Sequence, residues 1–169
     1  MLAFGGYKPA VSPRNNLMEL LDIVVPTGVI KRGMTIAQAF EKCIQSNVPG
    51  IPFCGDQGRI EGRFSIRHIV KSTCIPHYMI DAAHLLGDQI YHATIPTVQI
   101  RAMLGLAVEP YILENTPCVS PNSPVEKALA IMEQTNAGYV FLLDGDNYMG
   151  VITRMGIVSL ILKHQDELI

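Results

Sequence analysis

No run of eighteen apolar residues occurs anywhere in this 169-residue sequence, which argues against a helical membrane span. A basic excess is missing as well. The net charge is −2 and the sequence pI is near 6.2, whereas nucleic-acid binders commonly carry a positive surplus. No basic run of the kind that grips anionic lipid is present either. The four cysteines, Cys43, Cys54, Cys74 and Cys118, form no C-x-x-C pair. Met1 to Leu20 holds no apolar stretch of signal-peptide length, so the thiols read as reduced and the protein as soluble and cytoplasmic. Catalytic signatures are lacking too: no G-x-S-x-G, H-E-x-x-H or G-x-x-x-x-G-K-[ST] segment appears. The expectation is a chain that is not an enzyme and carries no cofactor of its own.

What is present is apolar residues, and a repeat. The apolar content is 49% and the mean hydropathy +0.26, toward the upper end for a globular chain. That is more apolar surface than one small monomer needs, so a homodimer is expected. Gly62-Arg63-Phe64-Ser65-Ile66-Arg67-His68-Ile69-Val70 matches Gly150-Val151-Ile152-Thr153-Arg154-Met155-Gly156-Ile157-Val158 at an offset of 88 residues, from Gly62 to Gly150. The same offset lays Gly50-Ile51-Pro52-Phe53 on Gly138-Tyr139-Val140-Phe141.

Each half opens with an amphipathic helix, Ile36, Ala39, Phe40, Cys43 and Ile44 in one and Val125, Ala128, Leu129 and Met132 in the other. Ser123-Pro124-Val125-Glu126 reads as a capping box with proline at the first helical position, and Thr35-Ile36-Ala37-Gln38 as a similar box one residue out of register. A hairpin follows each helix. Ile51 to Cys54 turns at Gly55-Asp56-Gln57-Gly58 into Arg59 to Ser65, and Tyr139 to Leu143 turns at Asp144-Gly145-Asp146-Asn147 into Tyr148 to Thr153. Second helices are expected over Ile66 to Thr73 and Arg154 to Lys163, with short extended pieces at Gly28 to Ile30 and Pro117 to Val119. The order is β-α-β-β-α, twice.

A doubled unit of this order, with Gly62-Arg63-Phe64-Ser65 and Gly150-Val151-Ile152-Thr153 closing its third strands, resembles the CBS domain, named after cystathionine β-synthase. The resemblance implies an α+β fold of two units packed as a pseudo-two-fold pair. The expected division is an N-terminal tail and short helix over 1–23, a first unit over 24–74, a helical connecting segment over 75–116 and a second unit over 117–169. It also implies a regulatory module that binds an adenine nucleotide between the units and signals to a partner protein. The first-choice site residues are Ser65, Arg67 and His68, with Thr153 and Arg154 second, and backbone groups around Pro49, Gly50, Ala137 and Gly138 left free to hold the base. A hydroxyl beside a helix N-terminus and its unpaired N–H groups suits a phosphate.

Two departures from the family pattern favour a rival expectation, a ligand-silent scaffold. The family's usual motif has an Asp three residues after the Ser/Thr, to accept from ribose hydroxyls; this chain has His68 and Gly156 there. With Arg67 and Lys71, His68 makes a basic cluster better suited to phosphate than to a bare nucleoside. In the connecting segment an amphipathic helix is expected over His77 to Ala93, with Met79, Ala82, Ala83, Leu86 and Ile90 on one face, and a second over Val98 to Leu106. Its other face carries His77, Asp81, His84, Asp88 and His92. This stripe reads as a solvated polar face, and no metal is expected on it.

Overall fold

The computed structural model describes residues 19–85, 87 and 97–164. The first unit comprises β1 (Ile30–Lys31), α1 (Ile36–Ser46), β2 (Gly50–Cys54), β3 (Ile60–Ser65) and α2 (Ile66–Thr73). Between the units lie α3 (His77–Asp81) and α4 (Thr97–Leu104). The second unit comprises β4 (Cys118–Val119), α5 (Val125–Gln134), β5 (Tyr139–Asp144), β6 (Asn147–Thr153) and α6 (Arg154–Lys163). In each, the short first strand pairs in parallel with the middle strand, which pairs antiparallel with the third. The α+β fold is that of the expected doubled unit.

Local chemistry explains the helix starts. Thr35 caps α1: its Oγ1 accepts the Gln38 N–H at 3.3 Å, and Gln38 Oε1 accepts the Thr35 N–H at 3.0 Å. Asn47, in the left-handed conformation at φ 51°, ends it. Ile36, Ala39 and Cys43 form the buried face, as Val125, Ala128 and Met132 do on α5. The capping box expected at Ser123 does not form. Pro124 takes the place that Thr35 holds, so the serine comes one residue too early, and its Oγ accepts the Ser120 N–H at 3.2 Å instead.

Strand register corrects the repeat alignment. Gly50 pairs with Ser65, but Tyr139, not Gly138, pairs with Thr153. The second hairpin is shorter by one residue, closing through Gly145-Asp146 between paired Asp144 and Asn147. Tyr139 is therefore the structural counterpart of Gly50, and the two meet. A Cβ on residue 50 would collide with the Tyr139 ring and lie 2.7 Å from the Phe64 carbonyl oxygen. One ring fills the place that two rings could not share.

The pseudo-two-fold shows most clearly where chain segments cross. Val25 exchanges backbone hydrogen bonds of 2.8 and 2.9 Å with Val151, and Leu113 exchanges bonds of 2.8 and 3.0 Å with Arg63. Val25 and Leu113 are 88 residues apart, as are Arg63 and Val151. Each unit is thus edged by the segment that leads into the other. The core follows the pleat of β5: Tyr139 and Phe141 face the first unit with Ile51, Phe53 and Phe64, while Val140 and Leu142 face Met132, Ile157 and Leu160. Burying a ring such as Phe141 contributes roughly 2–3 kcal/mol.

The connecting segment departs from expectation. The helix from His77 stops at Asp81, followed by a 3₁₀ turn over Ala83–Leu85, and the rest of the expected helix, with Leu86, Asp88, Ile90 and His92, lies outside the described residues. α3 buries none of its residues, and Tyr78 and Leu85 are exposed, so no core face sustains a longer helix there. The second helix is α4, ending at Leu104, and it does pack: Met103 and Leu104 lie against the first core, and the Leu106 carbonyl accepts the Ile36 N–H at 2.9 Å.

Candidate functional site: the cleft between the units

Ser65 sits at the join of β3 and α2, almost fully buried, where its Oγ accepts the His68 N–H at 3.5 Å. This cap turns the first helical residues, Arg67 and His68, toward the second unit. Arg67 is held there by its Nη1, which donates to the Asn136 carbonyl at 3.1 Å. Ser65, Arg67 and His68 line one cavity of about 270 Å³, together with Lys71 and Arg63 from the first unit. Leu113, Asn115, Thr135 and Asn136 close it from the other side. Three side chains of fixed positive charge and an imidazole border this space, and no carboxylate does. In a chain of net charge −2 that is a local inversion of sign.

Arg63 is the residue that sequence reasoning missed. It lies in the hydrophobic part of the strand motif, where the pattern of the motif masks it. Its Nε donates to the Asn115 carbonyl at 2.9 Å and to Asn115 Oδ1 at 3.1 Å, and its Nη1 to the Tyr139 hydroxyl at 3.1 Å. The guanidinium carbon lies 5.5 Å from the Tyr139 ring centroid. Burial pushes the Tyr139 phenol above its ordinary pKa, and the adjacent Arg63 charge only partly offsets this. The hydroxyl therefore keeps its proton and donates to the Phe64 carbonyl at 3.4 Å. A signal was available in the sequence: Arg63 against Val151 is the one charged-for-apolar exchange between the two strand motifs.

The remaining predicted residues are not gathered in this cavity. Pro49 lines a neighbouring apolar groove of about 550 Å³, formed with Ile66, Val70, Ile75 and Ile80, that shares Arg67 and Lys71 with the cleft. The backbone expected to stand free is engaged: the Pro49 carbonyl accepts the Ile66 N–H at 3.1 Å and the Gly138 carbonyl the Arg154 N–H at 3.0 Å, closing the starts of α2 and α6. The Ala137 carbonyl accepts from Arg154 Nη2 at 3.4 Å, and Gly50 lies beneath Tyr139. Arg154 also pairs with Glu133 at 2.7 Å. Thr153 caps α6, its Oγ1 accepting the Gly156 N–H at 3.0 Å, and Gly156 packs against Ile23. The second motif is thus spent on structure. Among the described residues no three His, Cys, Asp or Glu side chains gather as a metal site, and no helix is long and apolar enough to cross a membrane.

Residues 108–163 match the family model of the CBS domain. No curated protein sequence matches the chain. Solved structures do. The CBS-domain protein ATU1752 of Agrobacterium tumefaciens superposes with a TM-score of 0.61 at 16% identity, over 89% of this chain and 98% of that one. A CBS domain-containing protein of unknown function from Bacillus anthracis gives 0.60 at 15% identity, over 89% and 99%. CBSX2, solved in complex with AMP, gives 0.59 at 17% identity, over 88% and 98%. Residues 108–163 thus match the CBS domain, and the fold across both units is that of CBS-domain proteins.

Proposed function

We propose that this protein is a regulatory module that binds an adenine nucleotide in the cleft between its two units and passes occupancy to a partner protein. The observation that carries the reading is the cavity bordered by Ser65, Arg67, His68, Lys71 and Arg63 without a carboxylate. Such a lining favours phosphate over a neutral nucleoside. The AMP held by CBSX2, which shares this fold, supports the adenine part of the reading. With Gly156 in place of the family's aspartate and Ile23 packed on it, the second motif carries no equivalent function. The module works as a homodimer. The exposed Met155, Val158, Ile161 and Leu162 of α6 support self-association, because they leave an apolar helix face uncovered on one chain. The protein has no catalytic step and acts in the cytoplasm through the partner.

Thermal unfolding against AMP, ADP, ATP, S-adenosylmethionine and adenosine tests the reading. A ligand of the folded state at a hundredfold excess over its Kd adds about 2.7 kcal/mol. AMP or ATP should raise the midpoint and adenosine should raise it far less. No shift with any of them returns the protein to the ligand-silent scaffold. Light scattering at micromolar concentration should give twice the monomer mass.

A further inference from the structure

Arg63 stands where the repeat places Val151, a residue wholly buried among apolar side chains. A charge there is costly. Only 4% of Arg63 is exposed, and the ion pairs among the described residues, Arg32 with Asp56 and Glu61 and Arg154 with Glu133, leave it out. Its partners are neutral, namely Asn115 and the Tyr139 hydroxyl, and its Nη2 makes no hydrogen bond among the described residues. Neutral oxygens orient a guanidinium, but they do not offset the loss of water around a full positive charge. An anion in the cleft would, and Arg67, Lys71 and His68 border the same space.

We propose that Arg63 is the specificity-determining residue of the cleft, binding the ligand's phosphate through Nη2, and that this position holds an arginine for the ligand rather than for the fold. The inference rests on the cleft being the ligand site, but not on the ligand carrying adenine. It also supplies a route for the signal. Arg63 belongs to β3 of the first unit, while Asn115 and Tyr139, which orient it, belong to the segment before β4 and to β5. A phosphate that draws on Arg63 therefore acts on the seam between the units.

Calorimetry on the full chain and on Arg63→Met, with AMP, inorganic phosphate, pyrophosphate and adenosine, tests this together with thermal unfolding in the absence of ligand. The wild type should bind AMP at least tenfold more tightly than adenosine. Arg63→Met should lose at least tenfold in AMP affinity yet unfold, without ligand, at the same or a higher temperature. Equal AMP affinity in both proteins would overturn the assignment and leave the adenine-nucleotide reading intact. A wild type that binds pyrophosphate or phosphate as tightly as AMP, with that binding lost in Arg63→Met, would uphold the assignment and overturn the adenine reading. No anion binding by the wild type overturns both. If Arg63→Met unfolds well below the wild type, the arginine serves the fold and the proposal fails in that part. Asn115→Ala, which keeps the charge and removes one orienting side chain, should then still weaken AMP several-fold, and unchanged affinity would sink the rest.

Discussion

The two units follow the same path and make opposite use of it. In the first, the third strand ends in a buried arginine, a capping serine and a basic helix start that open onto a cavity. In the second, the equivalent strand ends in Val151 and a capping threonine, Gly156 lies against Ile23, and Arg154 is turned to Glu133 at the surface. Gly50 and Tyr139 divide in the same way, one yielding the space that the other fills. One copy lines a cavity with cationic side chains, and Thr135 and Asn136 of the other supply part of its wall.

The largest test of this asymmetry is a pair of glycine substitutions. At Gly50 an added Cβ meets a buried ring and a backbone oxygen, neither of which can move aside cheaply, whereas at Gly138 it meets nothing within 4 Å. Gly50→Ala should cost about 3 kcal/mol, at the upper end for overpacking, and Gly138→Ala should stay within about 0.5 kcal/mol. Urea unfolding of both variants measures the difference. Equal costs would mean that Tyr139 and Gly50 are not complementary partners.

A second contrast lies inside the first helices, where Cys43 of α1 occupies the place of Met132 on α5. Burial pushes the Cys43 thiol up to about 12 from an ordinary value of 9.0. Between pH 9 and 12 the folded protein therefore keeps the thiol while the unfolded chain takes the thiolate. Stability from this group is fully present below pH 9 and lost as pH rises toward 12, by up to about 1.4 kcal/mol per pH unit. Burial raises Cys118, Tyr139 and Tyr148 as well, which steepens the fall at the alkaline end. Urea midpoints should therefore hold between pH 7 and 8.5 and then decline, with a shallower slope in Cys43→Ala. A flat profile to pH 10.5 would contradict the burial.

The capping hydroxyls separate structure from function more finely. Ser65 and Thr153 each cap a helix, so Ser65→Ala and Thr153→Ala should each cost about 1 kcal/mol. Only Ser65 borders the cavity, so only its loss should also weaken AMP in calorimetry. If both variants weaken the nucleotide alike, the second motif contributes to a site after all.

How much of this was legible beforehand follows from the range over which each feature is decided. The helices over Ile66–Thr73 and Arg154–Lys163 and both hairpins are set by local periodicity and turn residues, and they could be read. The one-residue slip between Gly50 and Tyr139 could not, because register is settled by pairing across the sheet, where glycine aligned with glycine is the simplest guess. The helix from His77 carried the right spacing but no buried face, so periodicity alone overstated its length. For the cleft, Ser65, Arg67 and His68 come from one contiguous motif and were visible. Arg63 was hidden by that same motif, since its hydrogen-bond partners Asn115 and Tyr139 lie far along the chain.

The smallest expected effect concerns the two arginines at the helix starts. Arg154 pairs with Glu133 at 2.7 Å, but about half of its side chain and nearly three-quarters of that of Glu133 face solvent (48% and 73%). Such a pair is screened by water and salt and is worth at most about 0.5 kcal/mol. Glu133→Gln should therefore shift the urea midpoint barely or not at all, and it should leave AMP binding unchanged. Arg67→Ala should be equally mild on stability, because its hydrogen bond goes to a backbone carbonyl at the surface of the cleft. It should nonetheless weaken AMP while sparing adenosine, and the AMP affinity of the wild type should fall as salt is added. Two variants with the same small effect on stability, of which only Arg67→Ala weakens the nucleotide, would locate the site in the first motif. If both leave binding untouched, the cationic lining of the cleft serves only to hold the units together.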